Sequence, residues 1–112
     1  MSNHTQRGLS EPRRQFVRLM QWLLFGRITN LPVRGGEPVL DPWPRCVREY
    51  KLGGENGRHP KYWTDDFLLK EQHVDLFRQF DAIGDGMISV LEVKHGLPFR
   101  MELSEPAGPA AG

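Results

Sequence analysis

The sequence of 112 residues is short of cysteine and of long apolar runs. Cys46 is the only cysteine, so no disulfide can form within the chain, which is typical of a protein from a reducing compartment. The main apolar stretch, residues 16–25, is interrupted by Arg18 and Gln21 and falls well short of the roughly 20 apolar residues that a membrane span requires. These shortages predict a small cytoplasmic protein with one domain and one modest core, and no membrane span.

The charge balances overall but not along the chain. The formal net charge is +1, yet residues 1–62 carry 11 Lys and Arg against 5 Asp and Glu, and residues 63–112 carry 4 against 9. Pairing of the two halves within one fold is the simplest interpretation, and a basic surface for a polyanion is the alternative. Residues 1–34 hold six arginines and one glutamate, so a mitochondrial address is the alternative to the cytoplasm.

The first half predicts one helix followed by irregular chain. Ser10 is placed to cap an amphipathic helix that Gly26 would end. Gly and Pro account for 11 of the 35 residues in 26–60, which predicts extended chain and turns rather than long regular elements. The best strand candidate there is the alternating stretch 45–52. No internal repeat is apparent in the sequence.

The stretch LFRQFDAIGDGMISVLEV, residues 76–93, resembles the calcium-binding loop of the EF-hand family. That family has a 12-residue loop with oxygen ligands at set positions and glycine at position 6, which Gly86 matches when Asp81 is position 1. Phe77 and Phe80 stand where the family places aromatic residues on its entering helix. The resemblance implies calcium as the cofactor, bound by the following residues: Asp81, Asp85, Met87 through its carbonyl group, Ser89 and Glu92.

Two structures fit this stretch. Ser89 and Glu92 form an S-x-x-E capping box, which favours an exit helix beginning at Ser89. The β-branched residues of 87–93 instead favour a strand that leaves the GDG turn. A mainly α fold is therefore the prediction, and an α+β fold with 87–93 as a strand is the alternative. The predicted segments are a mobile arm (1–9), an amphipathic helix (10–26), an extended irregular segment (27–63), an EF-hand-like helix–loop–helix (64–103) and a disordered tail (104–112).

The predicted function is non-catalytic. Three of the four histidines, His59, His73 and His95, match no recognised zinc spacing with the single cysteine, and no serine or cysteine stands in a recognised nucleophile motif. The resemblance implies an EF-hand-type protein that binds calcium or keeps the loop as a structural element. Because EF-hands usually pair, the expected partner is another protein chain or a second copy, with this chain as a small accessory subunit of a larger assembly.

The alternative function is a small nucleic-acid-binding module with a basic surface. Arg14 and Arg18 lie on the polar side of the first predicted helix, and Arg58 and Lys61 lie in the glycine-rich middle segment. These four cations would contact phosphate groups, and the affinity would then fall steeply with added salt.

Overall fold

The computed structural model describes residues 9–53 and 70–105 and shows an α+β fold. The elements in chain order are α1 (Glu11–Leu23), β1 (Gly26–Arg34), β2 (Glu37–Pro38), β3 (Arg45–Arg48), α2 (Glu71–Ile83), β4 (Gly86–Lys94) and β5 (Leu97–Ser104). The mainly α prediction is therefore wrong, and so is the helix–loop–helix. A hairpin of β4 and β5 stands where the exit helix was expected, as in the alternative interpretation.

The strands form one antiparallel sheet. Their order is β2-β1-β4-β5. Strand β3 also pairs with β1, but along a different part of β1 from the part that pairs with β2. The two central strands place Ile28 opposite Leu91 and Leu31 opposite Ile88. Both helices pack on the face of the sheet to which these four residues point. The buried apolar core consists of Phe16, Val17, Met20, Leu23, Ile28, Leu31, Val33, Leu40, Leu76, Phe77, Phe80, Ile88, Leu91 and Val93.

A helix followed by two strands occurs twice in this fold. The helices both have 13 residues and start at Glu11 and Glu71, and the long strands β1 and β4 both have 9 residues and start at Gly26 and Gly86. Each element of the second unit thus begins 60 residues after its counterpart. Exchanging β1 and β4 by this 60-residue offset leaves their pairing register unchanged. The chain is a pseudo-twofold pair of α–β–β units, residues 11–48 and 71–104.

The two hairpins turn in the same way. Gly35 and Gly36 have φ of 57° and 78°, and their counterparts His95 and Gly96 have φ of 55° and 74°. Two-residue turns with positive φ match the right-handed twist of the flanking strands and so hold the hairpins in register. The two units differ after the turn. In the first unit a short connection separates the strand segments β2 and β3, whereas the second unit has the single unbroken strand β5.

Several predicted boundaries change. The Ser10 hydroxyl oxygen accepts a hydrogen bond from the Arg13 backbone N–H, which agrees with its predicted role as the cap of α1. The helix ends before Gly26, which is the first residue of β1, so the predicted irregular segment begins with a nine-residue strand. The predicted strand over 45–52 is shorter than expected. Residues 1–8, 54–69 and 106–112, which include parts of the predicted arm, second helix and tail, lie outside the described residues.

Candidate functional site

The two aspartates predicted as calcium ligands are used inside the fold. The Asp81 carboxylate, on the last turn of α2, lies 2.5 Å from the guanidinium of Arg13 on α1. The Asp85 carboxylate accepts a hydrogen bond of 2.8 Å from the backbone N–H of Gly35, in the β1–β2 turn. Both aspartates therefore connect the second unit to the first.

The remaining predicted ligands lie on β4. The Ser89 hydroxyl donates to the carbonyl oxygen of Glu102, 3.0 Å away, and the Glu92 carboxylate is 2.6 Å from the guanidinium of Arg100. Met87 is an exposed strand residue. The predicted capping box is wrong, because Ser89 and Glu92 are both in the middle of a strand. Within residues 9–53 and 70–105, no three His, Cys, Asp or Glu side chains are grouped as a metal site requires.

The predicted nucleic-acid contacts are only partly described. Arg14 forms an ion pair with Glu11, one turn earlier on α1. Arg18, one turn later on α1, is half-buried. Arg58 and Lys61 lie outside the described residues, so the predicted set of four cations stays a prediction.

Two described titratable groups, Cys46 and His73, are held in their neutral forms. Burial raises the pKa of the Cys46 thiol, which packs against the core and so resists forming a thiolate. Burial, with a smaller contribution from the charge of Lys70, lowers the pKa of His73 to about 4. The Nδ1 atom of His73 accepts a hydrogen bond of 3.0 Å from the backbone N–H of Lys70, at the start of α2. His73 therefore has a structural role in the helix cap.

A groove on the outer side of α1 is the surface best suited to binding. It has a volume of about 350 Å³ and is lined by Gln15, Arg18, Leu19, Trp22 and Trp43. The first four side chains recur at helical spacing along one side of α1, and the last comes from the connection between β2 and β3. The side chain of Trp43 is 58% exposed, which is unusual for so large an apolar group. We call this surface the tryptophan groove.

The ring of Trp22 is fixed by Arg48 of β3. The guanidinium lies 4.2 Å from the ring centroid, and it donates hydrogen bonds to the backbone carbonyl oxygens of Trp22 and Leu23. A cation is favourable both over an indole ring and at the carboxyl end of a helix. The same guanidinium donates to the hydroxyl group of Tyr50 at 3.1 Å. The groove wall is therefore held in place before any ligand arrives.

The second unit shows that the fold does not require this groove. The residues of α2 that correspond to Gln15, Arg18, Leu19 and Trp22 are Asp75, Arg78, Gln79 and Ala82, and all four are exposed. The apolar outer face is thus a property of the first unit alone. The aromatic residue Trp22 in the predicted amphipathic helix was the one signal for this groove that was visible in the sequence.

Comparison of the chain with protein-family models, with curated proteins and with solved structures finds no match. The family resemblance of the calcium loop is therefore neither supported nor opposed by relatives. Neither helix of the described chain has the length and apolar character needed to cross a membrane.

Proposed function

We propose that this protein is a non-catalytic binding module that holds a segment of another protein chain in the tryptophan groove. The observation that carries the proposal is the pair of rings, Trp22 and Trp43, in the groove of the first unit. The corresponding face of the second unit is polar. Large aromatic residues and arginine supply most of the binding energy at protein interfaces. A fixed ring also loses little conformational entropy when a partner binds. A role as an accessory subunit of a larger assembly fits such a module.

The lining of the groove defines the chemistry of the partner. Leu19 and the two rings supply an apolar floor, and Arg18 is the only charged lining residue among those described. Arg14 lies one turn away on the same helix. A partner segment that places a large apolar side chain on the floor and a carboxylate at the rim would match both features. The proposed ligand is therefore an acidic peptide segment with an apolar anchor.

Selection from a displayed peptide library tests this assignment. The full chain is used as bait, with Trp43→Ala as the groove variant and Phe99→Ala as the matched control. Phe99 is also 58% exposed and lies on the second unit, so both substitutions remove an equally exposed aromatic ring. Thermal unfolding of each variant establishes that it is folded.

We expect peptides that combine Asp or Glu with an aromatic or aliphatic residue to be enriched on the native chain and on Phe99→Ala. Trp43→Ala should bind them at least tenfold more weakly, since hot-spot truncations cost about 2 kcal/mol or more. Enrichment of the same peptides on all three baits, or of none on the native chain, would overturn the proposal. A concentration-dependent mass in sedimentation that Trp43→Ala abolishes would identify the occupant as a second copy instead.

A further inference from the structure

The face of the sheet opposite the helices carries two arginines that have no partner in the described chain. Arg27 lies on β1 between Gly26 and Ile28, whose buried positions face the helices. Arg45 precedes Cys46 on β3, and the cysteine packs against the core. Both arginines are exposed, and neither makes an ion pair or a side-chain hydrogen bond with a described residue. No described helix covers this face.

The strand register places the two arginines close together. Arg27 is opposite Val47, and Arg45 is opposite Thr29. They are therefore diagonal neighbours on adjacent antiparallel strands, where Cβ atoms are about 7–8 Å apart. Arg34, further along β1, is exposed and equally without a partner among the described residues.

The nearby carboxylates form no ion pair with these arginines. Glu92 is opposite Arg27 in the register, but its carboxylate is bound to Arg100. Glu102 also pairs with Arg100. In the second unit the residue corresponding to Arg27 is Met87, so the strand itself does not require a cation at this position.

We propose that this face binds the phosphate backbone of a nucleic acid. The guanidinium group is always charged and presents a planar set of donors that matches phosphate oxygens. Contacts of arginine with phosphate carry no sequence information, so the face would contact the backbone rather than read the sequence. The inference is independent of the tryptophan groove, which lies on the helix side.

Fluorescence anisotropy with labelled single-stranded DNA, duplex DNA and RNA tests the proposal. The full chain is titrated at 50 and 200 mM salt, together with the double variant Arg27→Gln/Arg45→Gln. The matched control is Lys70→Gln/Arg78→Gln, which removes the same charge from exposed positions on the helix side. Arg27→Lys/Arg45→Lys keeps the charge, and poly-glutamate serves as a polyanion without phosphate.

We expect the native chain to bind nucleic acid with an affinity that falls between the two salt concentrations. The sheet-face Gln variant should bind at least tenfold more weakly at 50 mM salt. The slope of its log affinity against log salt should be smaller by about 1.4, from two lost contacts to a single strand. The Lys variant and the control should stay within about threefold, a small change beside the loss of two phosphate contacts. Absence of binding, an equal loss in the control, or equal binding to poly-glutamate would overturn the proposal.

Discussion

The backbone N–H of Gly96, in the β4–β5 turn, donates a 2.9 Å hydrogen bond to the carbonyl oxygen of Leu24, which ends α1. The bond has a counterpart 60 residues away, because the N–H of Gly36 donates to the carbonyl oxygen of Gly84 at 2.8 Å. Each hairpin turn is thus tied to the end of the other unit's helix. A Cβ on Gly96 would lie only 3.3 Å from the Cα of Gln21, so glycine permits this close approach. The two units therefore stabilise each other.

The first prediction concerns the ends of the two helices. Leu24 has φ of 64° and ψ of −67°, and its counterpart Gly84 has φ of 68° and ψ of −83°. This conformation is strained for any residue with a Cβ atom, and glycine adopts it freely. We expect Leu24→Gly to raise the free energy of unfolding by about 1 kcal/mol, and Gly84→Leu to lower it by about 1–3 kcal/mol.

Urea unfolding of the two variants measures both changes. The pair controls for position, since each substitution introduces the residue that the other unit already carries at the same place in the fold. A loss of stability in Leu24→Gly would show that packing of the Leu24 side chain stabilises the fold by more than the backbone strain at this position destabilises it.

Local patterns in the sequence predicted the helices but not how they pack. Ser10 and the apolar spacing of α1 were sufficient for that helix, because a cap and a face of period 3.6 are local features. The prediction of no internal repeat is wrong. The hairpin segments are identical at six positions 60 residues apart, and only the helices, where few residues match, obscured the repeat. The matching residues of the first unit are Gly26, Ile28, Leu31, Val33, Gly36 and Pro38. The GDG turn led to the wrong element because glycine and aspartate suit a calcium loop and a strand-entry turn equally. The two-residue turns, Gly35–Gly36 and His95–Gly96, were the visible signals for hairpins.

The candidate site was harder to predict than the fold. Trp22 and Trp43 are 21 positions apart, and only the pairing of β1 with β3 brings the connection that carries Trp43 over α1. The partners of Asp81 and Asp85 come from the other unit, so no reading of the loop alone could show that these carboxylates were already engaged.

The second prediction concerns Arg13, which connects the two units. Its guanidinium donates to the carbonyl oxygen of Gly36 at 2.8 Å, pairs with Asp81 and lies 5.2 Å from the ring centroid of Phe77. The side chain is only 16% exposed, so its loss would leave these polar groups without their partner. We expect Arg13→Ala to lower the free energy of unfolding by about 2–3 kcal/mol. Urea unfolding at neutral pH provides the measurement.

Arg78→Ala is the matched control for this substitution. Arg78 also forms an ion pair, with Asp75 one turn earlier on α2, but its side chain is 71% exposed. Pairs of this kind contribute little, so a change within about 0.5 kcal/mol is expected. Equal effects of the two substitutions would mean that Arg13 does not couple the units.

The third prediction concerns calcium. Asp85 and Glu92 are hydrogen-bonded to other groups of the fold, and the second of them lies on a strand. Binding calcium would break these contacts, so we expect the amide NMR spectrum to be the same with chelator and with excess calcium. A saturable downfield shift of the Gly86 amide, lost in Glu92→Gln, would instead establish the calcium loop implied by the EF-hand resemblance.

The last prediction concerns the pH dependence of stability. Burial lowers the pKa of His73 to about 4 in the folded chain, against 6.5 for a free side chain. The unfolded chain therefore binds the proton at a higher pH than the folded chain does. Stability is at its full value above pH 6.5, falls as the pH drops towards about 4, and changes no further below that value through this group.

Urea unfolding at pH 7.5 and 4.5 measures this loss. One histidine with these pKa values should cost the native chain about 2–3 kcal/mol between the two pH values. His73→Gln, which keeps an acceptor for the Lys70 N–H, should lack this contribution, so its stability should change with pH by about that much less. His95→Gln is the control, because His95 is exposed in the β4–β5 turn. Equal losses of stability in His73→Gln and His95→Gln on acidification would show that the acid sensitivity does not come from His73.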